Sequence, residues 1–194
     1  MKNYGEELAY WYFRLNGFFL LHDFVLHREE IERRSSDCDI AAIRLPYVYE
    51  HIGGEANDWD TPVLNTLGFN GNNSLAVFVQ VKTGADIECP GGVDEYFARH
   101  LHKFVRRTGV MPQDSADEFA QEFREQKTLA ANGVVFSKVA VFDDDTVRHR
   151  EYPFHEISLR HMIHFIMNRF HKYIGDKNAD RMSFPSTLMQ AMID

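Results

Sequence analysis

The chain has 194 residues, 44% of them hydrophobic and 26% charged, with a formal net charge of −8. That length and balance fit one full hydrophobic core and exclude wholesale disorder. The acidic balance excludes a protein that coats nucleic acid nonspecifically, but not a nuclease whose carboxylates hold metal beside a local basic patch. The two cysteines, Cys38 and Cys89, are too few for a disulfide framework, and no apolar run reaches the length of a membrane span. Glu6 and Glu7 make the N-terminus no signal peptide. The expectation is a single domain over 1–194, in a reduced cytoplasmic setting and with no membrane partner.

In chain order, Leu8, Trp11, Tyr12 and Leu15 repeat at helical spacing, and Asn16-Gly17 is a stop signal, so residues 3–16 read as a helix. Residues 18–27 read as a first strand, 28–36 as a charged turn or loop, and 37–44 as a second strand. In that second strand Asp37 and Asp39 fall on one face, Cys38, Ile40 and Ala42 on the other. Residues 46–73 form a long irregular insertion containing Gly53-Gly54, Asn57-Asp58-Trp59-Asp60 and Asn70-Gly71. It reads first as a mobile surface segment, although connections this long are often functional.

Ser74 to Thr83 is the centre of the reading. Leu75, Val77, Val79 and Val81 alternate with Phe78, Gln80 and Lys82, in a β-branched run too short for a helix. This is a buried strand that ends with an amide and an amine two residues apart. Burying a lysine there is costly unless an acid stands nearby, and Asp39 on the preceding strand is the candidate.

Cys89-Pro90-Gly91-Gly92 then punctuates the chain, and residues 93–108 read as a helix. Phe97, Leu101 and Phe104 line its apolar side, and Arg99, Lys103, Arg106 and Arg107 gather on the other. Residues 115–127 read as a second, acidic helix with a Ser115–Glu118 capping box. Residues 133–142 and 147–152 read as strands of a hairpin about Asp143-Asp144-Asp145, residues 157–173 as a long helix, and 185–192 as a short terminal one. The order implies an α/β fold, a mixed central β-sheet flanked by helices. Residues 1–84 form the motif half and 85–194 the helical and hairpin half.

Gly5-Glu6, Ala9, Tyr12 and Asn16-Gly17-Phe18, then Asp39-Ile40-Ala41, then Phe78-Val79-Gln80-Val81-Lys82-Thr83 together resemble the PD-(D/E)xK, or restriction endonuclease-like, nuclease superfamily. The Gln-x-Lys form is similar to Mrr-type enzymes. The opening helix is similar to archaeal-type Holliday-junction resolvases and small bacterial endonuclease-like proteins. The likeness runs from about Gly5 to Thr83, and no proline precedes Asp39.

The resemblance implies a restriction endonuclease-like sheet and phosphodiester hydrolysis, most of all in DNA, with Mg2+ or Mn2+. It implies that Asp39, the Gln80 amide oxygen and the Val81 carbonyl hold the metal, and that Lys82 orients or deprotonates the attacking water. Glu6 would join the site from the first helix. A hard cation held by oxygen ligands supplies the charge over the phosphate and polarises the water, so no covalent nucleophile is needed. Gln80 has one negative charge fewer than a glutamate, which lowers metal affinity.

Blander readings stand beside several of these. Glu6 also suits a solvated helix N-terminus. Asp37 shares the face of Asp39 and would add a second metal only if its carboxylate joined the site. Arg99, Lys103, Arg106 and Arg107 read as a solvated face or as phosphate contacts. His161, His164 and His171 fall opposite the apolar stripe of their helix and read as solvated. Tyr47, Tyr49 and Trp59 suit base stacking and partner packing equally. The rival functions are a catalytically inactive relative that binds nucleic acid or a protein partner, and a subunit of a larger defence or repair assembly. A homodimer fits cleavage of two strands.

Overall fold

The computed structural model describes residues 4–26, 36–51, 53–83, 90–143 and 151–175. The turn at 28–36 (except Ser36), the terminal helix at 185–192, Cys89 and most of the expected strand at 147–152 lie outside them, as does the side chain of Asp37.

The opening helix α1 spans Tyr4–Leu15 and buries Leu8, Ala9, Tyr12, Phe13 and Leu15. Gly17 ends it at φ +78, a conformation that costs glycine little. Strands β1 (Phe19–Leu26), β2 (Ser36–Arg44) and β3 (Ser74–Lys82) follow, with a one-and-a-half-turn helix α2 (Thr61–Thr66) inside the 46–73 insertion. Then come α3 (Pro90–Thr108), α4 (Gln113–Arg124), β4 (Thr128–Ala131), β5 (Val134–Phe142), β6 (His155–Ser158) and α5 (Leu159–Lys172).

The six strands form one mixed sheet in the order β1-β2-β3-β5-β4, with β6 also on β5. β3 and β5 are parallel over their whole length, from Ser74↔Val134 to Lys82↔Phe142. β1, β2 and β3 are antiparallel neighbours. The two faces carry separate cores. Leu75, Val77, Val79 and Val81 pack with α1, α2 and α5, whereas Ala76, Phe78, Phe136 and Ala140 pack with α3 and α4. The chain is therefore an α/β fold with helices on both faces of the sheet, as the element order implies.

Three expectations change. The acidic helix begins at Gln113 with Pro112 as N-cap and no side-chain cap bond, so Ser115 and Glu118 form no capping box at its start. That helix ends at Arg124, short of the expected Lys127, and β4 follows where no element was expected, tied to β5 by Asn132-Gly133 at φ 53 and 76. Positive φ at both residues matches the twist of a two-residue hairpin. The next described strand after β5 is β6, which runs parallel to it, while β5 forms a hairpin with β4; the partner expected at 147–152 lies mostly outside the described residues. The last helix starts at Leu159, where the Ser158 hydroxyl accepts from the His161 N–H.

Candidate functional site

The β2–β3 ladder ends at Ile40↔Val79, while β3 stays paired to β5 through Lys82. Gln80, Val81 and Lys82 thus have a strand on one side and a gap on the other. Asp39 stands in that gap. Its Oδ2 accepts the Val81 N–H at 2.6 Å, so a side chain takes the bond that the backbone ladder has given up. Cys38 packs with the α3 and α4 core rather than with Ile40 and Ala42, which corrects its expected face. The alternation breaks where the ladder does.

Gln80, the residue before Val81, is 5% exposed. Its Oε1 is buried with no hydrogen-bond partner. An amide oxygen left in that state costs about 1–3 kcal/mol, so it needs an explanation. Phe78, Gln80 and Lys82 share the face of β3 where the Phe78 ring stacks on Phe104 with centroids 4.7 Å apart. Lys82 is half-buried at the strand's end.

Glu6 comes from the other layer. A Cβ at Gly5 would lie 2.5 Å from Thr83 Cγ2 and 3.2 Å from Val81 Cγ1, so glycine lets the first turn of α1 press onto the end of β3. Glu6, half-buried, stands over the same end of β3 as Lys82 but from the α1 side. The structure therefore brings Asp39 to Val81, with Gln80 and Lys82 the residues on either side of Val81, and places Glu6 on the α1 side of the sheet, away from the face that Phe78 and Gln80 share.

Arg99, Lys103, Arg106 and Arg107 all lie on α3, and Arg106 pairs with Asp117 of α4 at 2.5 Å. The stripe is thus partly an α3–α4 tie. Arg99 and Lys103 are felt by buried His100, whose pKa burial first, then these cations, push down to about 4.

The 46–73 insertion is pinned rather than loose, a correction to its first reading. Asp60 is 8% exposed, and its Oδ2 accepts from Tyr12 at 2.6 Å and lies 2.5 Å from His161 Nε2. Asn16 Oδ1 accepts the Asp60 N–H at 2.7 Å. Asp58 takes Lys172 at 2.7 Å and Tyr173 at 2.5 Å, while Arg169 donates to its carbonyl. Burial alone would raise the Asp58 carboxyl, but these donors and the Glu55 N–H hold it below the usual range. Trp59, half-buried against the core, has Arg44 and Arg169 each 5.2 Å from its ring, so it packs within the fold. His161 is likewise a tether of the insertion. The acids of Asn57-Asp58-Trp59-Asp60 carried the signal for this. Their partners on α1 and α5 are 48 or more residues away in sequence and left none.

A cavity of about 590 Å³ opens beside β6 and α2, lined by Val63, Leu67, Lys127, His155 and Ile157 among others. It includes neither Asp39 nor Gln80 nor Lys82. No group of three His, Cys, Asp or Glu side chains suited to a metal occurs among the described residues. Asp39 would supply the one carboxylate beside amide and carbonyl oxygens. Hard oxygen donors of that kind suit Mg2+. No described helix is long and apolar enough to cross a membrane.

Compared with models of known families, with curated proteins and with solved structures, the chain finds no match in any of the three.

Proposed function

We propose that the chain is a metal-dependent nuclease that hydrolyses phosphodiester bonds, with DNA as the first substrate to test, on a restriction endonuclease-like sheet. The observation that carries this reading is the gap at the end of the β2–β3 ladder. There Asp39 meets the Gln80–Val81 peptide and the partnerless Gln80 Oε1 is buried. A divalent cation held by Asp39, Gln80 Oε1 and the Val81 carbonyl would give that oxygen a partner and supply charge over a phosphate. Lys82, at the end of the strand, would hold or deprotonate the attacking water, and Glu6 would act through water from α1.

One feature favours the inactive, nucleic-acid-binding or partner-binding alternative. One Asp39 oxygen is already bonded to the Val81 N–H, and Gln80 adds no charge. The experiment is cleavage of a DNA and RNA panel with Mg2+ or Mn2+, comparing wild type with Asp39→Ala and Lys82→Ala. Metal-dependent cutting lost by at least 100-fold in both variants is expected, the usual scale for removing a general base or a charge stabiliser. A folded wild type that leaves every substrate intact refutes the enzyme reading and leaves the binding alternative.

A further inference from the structure

At the outer edge of the sheet, β1 pairs only with β2 among the described residues. Leu20 packs into the core, so Phe19 and Leu21 alternate to the other face, opposite Ile43 and Ala41. Helices α3 and α4 do not cover them. Phe19 is 70% exposed and Leu21 48%. The chain leaving β2 continues past the same end of the sheet, where Val48 Cγ1 would lie 2.7 Å from a Cβ at Gly17. It adds Leu45 at 48%, Tyr47 at 81% and Tyr49 at 78% exposure. Large apolar side chains so concentrated on one corner mark an interaction surface.

We propose that this corner is the interface of a homodimer, with a second copy of the chain as its occupant. Three arguments select that partner. Area is the first. Three aromatic rings of roughly 150–250 Å² each, mostly exposed, with two half-exposed leucines, approach the roughly 800 Å² per partner of a standard interface. Charge is the second. Phe19, Leu21, Leu45, Tyr47 and Tyr49 carry none, and nearby Arg14 is matched by Glu50 at 3.4 Å. Two chains of net charge −8 can meet on these side chains without local repulsion, whereas the nearby cation a phosphate backbone would meet, Arg14, is already paired. The third is the edge itself. An antiparallel strand edge is self-complementary about a two-fold axis, so β1 of one copy can continue the sheet of the other. An exposed strand edge is a liability, and pairing removes it.

The test is sedimentation equilibrium of the full-length chain over a hundredfold concentration range, beside Phe19→Glu and Tyr47→Ser. The expected result is a wild-type mass of twice 22.6 kDa. Phe19→Glu should raise the dimer dissociation constant at least 100-fold, and Tyr47→Ser about 10-fold, with circular dichroism unchanged in both. A wild type that stays monomeric throughout overturns the proposal. So does a dimer that both variants leave intact, because its contacts then lie elsewhere. Neither result bears on cleavage, since Asp39 lies toward the opposite end of β2 from Arg44 and the segment that carries Tyr47.

Discussion

At position 80 a neutral amide stands where a second carboxylate would face Asp39 across a closing ladder. The substitution Gln80→Glu separates the proposed role from a packing role, because the two predict opposite signs. Without metal, two carboxylates share a buried gap, and stability should fall by about 1–3 kcal/mol through like-charge repulsion and desolvation. With Mg2+ present the pair becomes a stronger ligand set, so metal should raise the melting temperature of Gln80→Glu more than that of wild type. Thermal melts with and without millimolar Mg2+ read this directly, and equal metal responses in both proteins would remove Gln80 from the cation's shell. Much of this was legible from residues alone. Period-two alternation put Gln80 and Lys82 on one face, and Asp39 on the neighbouring strand was the natural counter-charge. The Asp39 bond to the Val81 N–H was not legible, because it depends on where two strands stop pairing, and a single strand's pattern does not contain that.

Among the elements, the insertion between β2 and β3 departs furthest from its reading, and long-range polar contacts are the reason. Asp60 joins α1 through Tyr12 and α5 through His161, so three segments distant in sequence meet on one carboxylate. Asp60→Ala leaves the buried Tyr12 hydroxyl without its acceptor and should cost about 2–3 kcal/mol. Tyr12→Phe removes donor and hydroxyl together, keeps the His161 contact, and should cost about 1 kcal/mol. Urea denaturation of both variants checks the order, and equal losses would mean that the ring, rather than the hydrogen bond, fixes the insertion. Local signals did place α1, β2, β3 and α3 correctly, since each has a clear apolar period. β4 was missed although Asn132-Gly133 is a strong hairpin signal, because its four residues are too few to show an alternation of their own. β6 carries only four residues, too few for alternation to separate from the helix that follows.

On the scale of the whole molecule, the three-layer packing forces several titratable groups inside, and their shifts fix how stability responds to pH. Burial and then neighbouring cations push His100 down to about 4, and burial with Lys127 does the same for His155. Both are therefore neutral in the fold at pH 6, while the unfolded chain, near 6.5, takes up protons. Stability is full above pH 6.5 and falls as the pH drops toward 4, with His100 alone contributing about 2 kcal/mol of the loss at pH 5. The carboxylate Asp58, held below its ordinary 3.8, acts only under that window, so the two effects separate. At the alkaline end, burial lowers Lys138 to about 8, with Asp94 and Glu125 opposing the shift, while its ammonium donates to the Arg124 carbonyl at 2.6 Å. An unfolded lysine near 10.5 holds its proton longer, so this group makes stability rise between pH 8 and 10.5. None of this was legible beforehand, because a histidine on a helix and a lysine in a strand look alike whether buried or exposed. Chemical denaturation at pH 7.5 and pH 5 tests the acid limb. His100→Phe keeps a ring against Tyr96 and removes the titration, so its loss between the two pH values should be smaller than that of wild type by about 2 kcal/mol. A variant as acid-sensitive as wild type would show that the buried imidazole is not what the proton attacks.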